Sequence, residues 1–277
     1  MPGQVTMRRP HLFEFLDQGW YPSIFRQIQT DYLRFAHTMQ PGPHPAAALI
    51  AAVLRRTGTV DVVDLCSGGA GPWARLQRDL ARIEPAVSVK LTDKYPRWDA
   101  LRRAGAVPDT GIECVAESVD ATAVPTHLRG MRTVFEGFHH FAPEQARAIL
   151  ADAAYQRVPI GVFEVALPRP LVLVLAPVLM LTTIAAYLVV TPSLKPRTIA
   201  RFLWTYLLPV VPLATCWDGV VSLLRVYSPE ELLELTSQLP RDAYTWEIGN
   251  TSTPVPGLRY VYLLAYPDSL PSVKPEQ

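Results

Sequence analysis

Three carboxylates, a glycine turn and two adjacent histidines carry the chemistry legible in this chain. The stretch "TVDVVDLCSGGAGPW" runs an apolar segment into Gly68, Gly69 and Gly71. Glycines let a backbone approach a ligand closely, so this turn reads as a cradle for a nucleotide-like molecule. Asp64 stands just before the turn, Asp93 ends the run "VSVKLTD", and Asp120 follows the run that begins "GIECVAESV". Further on, "FEGFHHF" brings His139 and His140 to the end of another apolar run. Histidine titrates near neutral pH, so either ring is a candidate general base. His139, which directly follows the predicted strand, is favoured; the competing role is capping the next helix or hydrogen bonding within the loop. Side chains adjacent on an extended segment point to opposite sides. The two rings are therefore not expected to share a metal ion, and no metal site is assigned. Glu136 falls inside the same predicted strand. Glu164 closes the next one, as an acceptor-orienting residue or as one partner of a structural ion pair.

The elements that must position these groups alternate. Strand-like runs at 60–66, 87–93, 111–120, 132–138 and 159–166 are separated by helix-like runs at 71–83, 97–105 and 142–156. That rhythm predicts a parallel sheet covered on both faces. The last two strand-like runs, 242–250 and 257–267, leave no room for a crossover helix and are expected to be antiparallel. Residues 9–58 read as helical, with Pro22 in a first turn and Gly58 ending the second helix. Trp20 and Tyr21 are read as lid or core residues of that extension, and Trp73 as packing.

The glycine turn alone admits two ligands. Gly69 to Ala74 satisfies G-x-G-x-x-[GA], with Asp93 about twenty residues on, as a dinucleotide site requires. Yet "VVDLCSGGAGPW", "LTDKYP", "ESVDATAVP" and "FEGFHHFAPEQARAIL", together with the terminal hairpin, resemble the class I S-adenosylmethionine-dependent methyltransferases. The resemblance implies an α/β, Rossmann-like sheet of five parallel strands plus a C-terminal antiparallel hairpin. It implies S-adenosyl-L-methionine as cofactor, held by Asp64, Cys66, Ser67, Gly68, Gly69, Gly71, Asp93, Lys94, Asp120, Ala121 and Glu136. It also implies methyl transfer in which His139, His140 and Glu164 serve the acceptor. The chain departs from D-x-G-x-G-x-G at Cys66 and Ala70, where glycine is usual. A protein that binds the cofactor but catalyses cyclisation or isomerisation, and a nicotinamide oxidoreductase, are the alternatives.

Composition narrows the partners. With 26 Lys+Arg against 25 Asp+Glu, bulk charge gives no hold on nucleic acid. Three cysteines at unrelated spacings fit a reduced compartment, and the N-terminus has no apolar run of the secretory kind. A cytoplasmic protein, either free in the cytosol or peripheral on the cytosolic face of a membrane, is the expectation. The division expected is an N-terminal extension or lid (1–58), an α/β core (59–167), an apolar helical insertion (168–217) and a C-terminal part of the core (218–277). The uncharged run at 170–194 is long enough to cross a bilayer. The strands on either side of the insertion belong to one sheet, however, and Pro209 and Pro212 interrupt its second apolar run. Membrane-surface contact through 170–217, a cap over the acceptor or a homodimer interface is expected instead, with a hydrophobic small-molecule or lipid-like acceptor.

Overall fold

A computed structural model describes residues 9–39, 42–96, 111–240, 244–253 and 257–268. Seven strands form one sheet: β1 (Asp61–Leu65), β2 (Ser88–Asp93), β3 (Ile112–Ser118), β4 (Met131–Phe135), β5 (Ile160–Ala166), β6 (Tyr244–Ser252) and β7 (Arg259–Pro267). Their order is β3-β2-β1-β4-β5-β7-β6. The first five pair in parallel, and β7 lies antiparallel between β5 and β6. This is the Rossmann-like sheet of five parallel strands plus a C-terminal antiparallel hairpin expected from the sequence. The strand order reverses between β1 and β4, and in open α/β sheets ligands bind at the carboxyl ends of the strands beside such a switch point.

Period-two alternation sends successive side chains to opposite faces of the sheet. Val63, Leu65, Val134 and Val162 pack with Ala146, Ile149 and Leu150 of α4 (Pro143–Tyr155). Val62, Val89, Leu91, Met131 and Phe163 pack against α2 (Ala46–Thr57) and α3 (Trp73–Ala81), where Trp73 is fully buried. Gly58 ends α2 in the left-handed region at φ 67, the conformation glycine adopts without a Cβ penalty. The helix expected at 97–105 lies outside the described residues.

The N-terminal stretch is less helical than the sequence pattern predicts. Residues 9–14 are irregular, a short 3-10 turn spans Phe15–Asp17, and α1 begins at Ser23 and runs to Met39. The insertion supplies α5 (Arg169–Val190) and α6 (Val210–Arg225), with a short helical segment between them at Ile199–Leu207. Pro209 has no N–H to donate, and the chain bends 70° at this break. Helix α6 runs straight through residue 217 to Arg225, so its last two turns belong to the same rigid element as the insertion. Helix α7 (Pro229–Thr236) then starts on a capping box between Ser228 and Glu231 and leads back to the sheet.

Candidate active site

The glycine turn leaves β1 with four residues at positive φ: Cys66 (58°), Gly68 (49°), Ala70 (76°) and Gly71 (43°). Cys66 and Ala70 therefore take the left-handed conformation that glycine would adopt freely, at a cost of about 1–2 kcal/mol each. Local bonds hold the turn. Ser67 Oγ donates to Asp64 Oδ2 at 2.6 Å, Thr133 Oγ1 of β4 donates to Asp64 Oδ1 at 2.7 Å, and Ser67 N donates to Thr92 O at 2.9 Å. Asp64 is buried, which pushes its carboxyl up to about 7 against the lowering effect of these hydroxyls. Both its oxygens are engaged from behind the turn, so Asp64 acts by shaping the cradle.

Asp93 and Asp120 are more open. Asp93 accepts from Gly68 N at 2.8 Å and Tyr95 N at 2.7 Å, and each carboxylate oxygen keeps a further lone pair. Lys94 Nζ lies 2.6 Å from Asp120, and this bond, with those from Thr122, holds the Asp120 carboxyl at about 2. Ala121 is buried next to it. Burial first, then the charges of Asp93, Asp64 and Asp120, push the Cys66 thiol up. Helix α1 roofs the turn. A Cβ on Gly69 would meet Thr30 Cγ2 at 2.3 Å, whereas one on Gly71 would meet nothing within 4 Å. Gly71 borders a cavity of about 460 Å³, walled across from it by Arg34, Phe35 and Thr38 of α1.

The histidines depart from the expected geometry. Strand β4 stops at Phe135, and Glu136, placed by the sequence reading inside the strand, sits beyond it at φ 47. Phe138–His140 form a 3-10 turn instead of extended chain. The cause is Glu164 at the end of β5. Its Oε1 accepts from Phe138 N at 2.7 Å and His139 N at 3.1 Å, and this gathers the backbone into a turn. The two rings therefore lie on the same side, 4.2 Å apart between centroids.

Glu164 also takes His139 Nδ1 at 2.7 Å through its other oxygen. Burial alone would raise the Glu164 carboxyl, but the charge and hydrogen bonds of His139 bring it below the usual range. His139 is buried, and its Nε2 has no hydrogen-bond partner among the described residues. Both histidines, Glu136 and Glu164 border a cavity of about 350 Å³ that also touches Tyr32 and Leu33 of α1 and Thr215 of α6. Glu136 lies 3.6 Å from His37 Nε2 of α1.

A charged network completes this corner, and the sequence reading missed it. Glu14 lies 3.7 Å from His139 Nε2 and 3.8 Å from His140 Nδ1; Asp17 lies 2.8 Å from His140 Nδ1. Arg225, at the end of α6, reaches Glu14 at 3.2 Å and Asp17 at 2.9 Å, and donates to the His140 carbonyl at 2.9 Å. Burial, partly offset by His140 and Arg225, lifts Glu14 to about 7. Burial would raise Asp17 too, but bonds to His140 and Arg225 hold it at about 2. Glu14, His139 and His140 offer ligand atoms within 4.8 Å of one another, close enough for one metal ion. The Arg225 guanidinium beside Glu14 opposes a second cation there. The signal available in the sequence was acids at 14 and 17 inside an aromatic stretch, and charges at 218 and 225 closing an uncharged one.

The chain matches no protein-family model and no curated protein. Among solved structures it is similar to human N-acetylserotonin methyltransferase in complex with SAM, at 13% identity over 94% of this chain and 64% of that one, with TM-score 0.49. It is similar to LepI in complex with SAM at 14% identity over 93% and 60%, with TM-score 0.46. Mitomycin 7-O-methyltransferase MmcR shares 13% identity over 80% and 52%, with TM-score 0.44, so the chain spans about half the length of that structure. At these identities and scores the likeness reaches no further than the chain trace; the fold assignment rests on the strand order itself.

Proposed function

We propose that this protein is an S-adenosylmethionine-dependent methyltransferase whose acceptor is an apolar small molecule, with His139 as general base. The observation that carries the reading is the buried Glu164–His139 pair, 2.7 Å apart and lining a cavity. The far nitrogen of the ring makes no hydrogen bond among the described residues and lies 3.7 Å from Glu14. Glu164 fixes the ring by accepting from Nδ1, so that in the neutral ring the lone pair is on Nε2. That nitrogen takes the proton from an acceptor hydroxyl or amine as the nucleophile forms.

The bound cofactor supplies a methyl group already activated by a sulfonium charge. The residues present fit it. Gly68 and Gly71 leave backbone open to a ligand, Asp93 retains acceptor capacity for ribose hydroxyls, and Asp120, beside Ala121, would accept from an adenine amino group. In the acceptor cavity Leu16, Leu33, Val165, Leu223 and Val226 share the wall with the acids Glu14, Glu136, Glu164 and Asp218 and with both histidines, which suits a molecule with an apolar body and a polar, ionisable group.

The test is calorimetry with S-adenosylmethionine and S-adenosylhomocysteine, followed by an acceptor screen that monitors S-adenosylhomocysteine release. Binding of both is expected. His139→Gln should lower turnover by about 10²–10⁴-fold with cofactor affinity unchanged within a few-fold. Product formed without stoichiometric S-adenosylhomocysteine would favour cyclisation or isomerisation on the same fold. Absence of cofactor binding would overturn the reading.

A further inference from the structure

The outer face of the insertion has no partner among the described residues. Helix α5 runs on through a 3-10 turn to Ser193, and only 11% of its most apolar 18-residue stretch is buried. Besides Leu173, its exposed large apolar residues recur at helical spacing: Leu171, Val174, Val178, Leu181, Leu188 and Val189. They form one apolar stripe about 27 Å long at 1.5 Å per residue. The opposite face is committed to the fold. Val172 and Tyr187 are fully buried, Tyr187 stacks on Tyr32 of α1 at 3.8 Å, and its hydroxyl bonds Thr215 of α6 at 2.8 Å.

The stripe is continued by neighbouring elements. Tyr206 donates to Leu188 O at 2.5 Å and leads to exposed Leu207 and Leu208. On α6, Val210, Leu213 and Trp217 are exposed on one face, and the Trp217 indole donates to Phe13 O at 2.9 Å beside a partly exposed Phe13 ring. Soluble monomers rarely expose a contiguous apolar surface of this extent.

Charge selects the occupant. No Asp or Glu lies between Glu164 and Asp218. Lys195 and Arg197, just past the end of the stripe, are both exposed. An apolar face flanked by cations and by exposed Tyr and Trp side chains matches the boundary between the acyl chains and anionic headgroups of a bilayer.

We infer that α5, the Ile199–Leu207 segment and α6 form an in-plane docking surface for an anionic lipid bilayer. Because only one face of α5 is free, the helix lies along the leaflet and does not cross it. The same insertion contributes Thr183, Thr215 and Leu223 to the acceptor cavity on its inner side. Docking thus sets that cavity against the membrane surface.

The purified full-length chain should float with vesicles of phosphatidylcholine mixed with phosphatidylglycerol, and much less with phosphatidylcholine alone. Val174→Glu with Leu181→Glu, at positions 73% and 68% exposed, should abolish flotation and leave circular dichroism and melting temperature unchanged. Lys195→Ala with Arg197→Ala should weaken binding to anionic vesicles by roughly 10- to 30-fold. Two results would overturn the inference. One is a chain that ignores both vesicle types. The other is a dimer by light scattering that the two glutamates convert to monomer, since the stripe would then belong to a second copy. The readout does not involve methyl transfer, so it stands or falls separately from the proposed activity.

Discussion

Asp64 shows how one buried carboxyl makes a turn and a pH dependence together. Burial lifts it from 3.8 to about 7 while Ser67 and Thr133 hold it in place. Between those values the folded chain keeps a proton that the unfolded chain has released. The stability contributed by that proton is complete below about pH 4 and is lost as the pH rises toward 7. Asp64→Asn removes the titration yet can still accept from one hydroxyl and donate to the other. The melting temperature of the variant minus that of the wild type should climb between about pH 4 and 7 and level off above, reflecting a few kcal/mol. A difference that stays constant across that window would mean that Asp64 is ionised throughout. The sequence made Asp64 legible as an important acid because it ends an apolar strand before glycines. It did not show whether the group faces the ligand or the turn, since that depends on Thr133, 69 residues away.

At the scale of elements, the strands were readable because alternation and turn residues are local. The end of β4 was not, because the 3-10 turn at Phe138–His140 is imposed by Glu164 from a different strand. The seating of α1 on the glycine turn is equally non-local and turns on one missing Cβ. Gly69→Ala drives a methyl against Thr30 Cγ2, which should cost about 1–3 kcal/mol in denaturant unfolding. Thr30→Ser deletes that methyl and keeps the hydroxyl that donates to Arg26 O at 2.7 Å. Combined with Gly69→Ala, it should restore most of the loss. If the double variant is no more stable than Gly69→Ala alone, the cost lies in the backbone of the turn and not in its contact with α1.

Over the whole molecule, buried charges tie the N-terminal extension to the insertion across the sheet-bound core. Asp218 of α6 accepts from Phe15 N at 2.7 Å and from Gln29 at 2.8 Å, Arg225 holds Glu14 and Asp17, and Arg201 meets Asp31 of α1 at 2.5 Å. These contacts join residues some 170 to 210 positions apart, beyond what any local pattern encodes. The bonds that make the N-terminal stretch and the insertion one wall of the site were therefore not legible in the sequence. The Asp31–Arg201 pair offers the clearest measure of that coupling, since both side chains are almost wholly buried. Asp31→Ala strands a buried guanidinium and should cost about 3–5 kcal/mol in chemical denaturation. Asp31→Leu combined with Arg201→Met removes both charges and should recover most of the loss, because a buried ion pair repays little beyond its own desolvation. A double variant as unstable as Asp31→Ala would show that packing of α1 against the insertion, and not the pairing of these charges, holds the wall together.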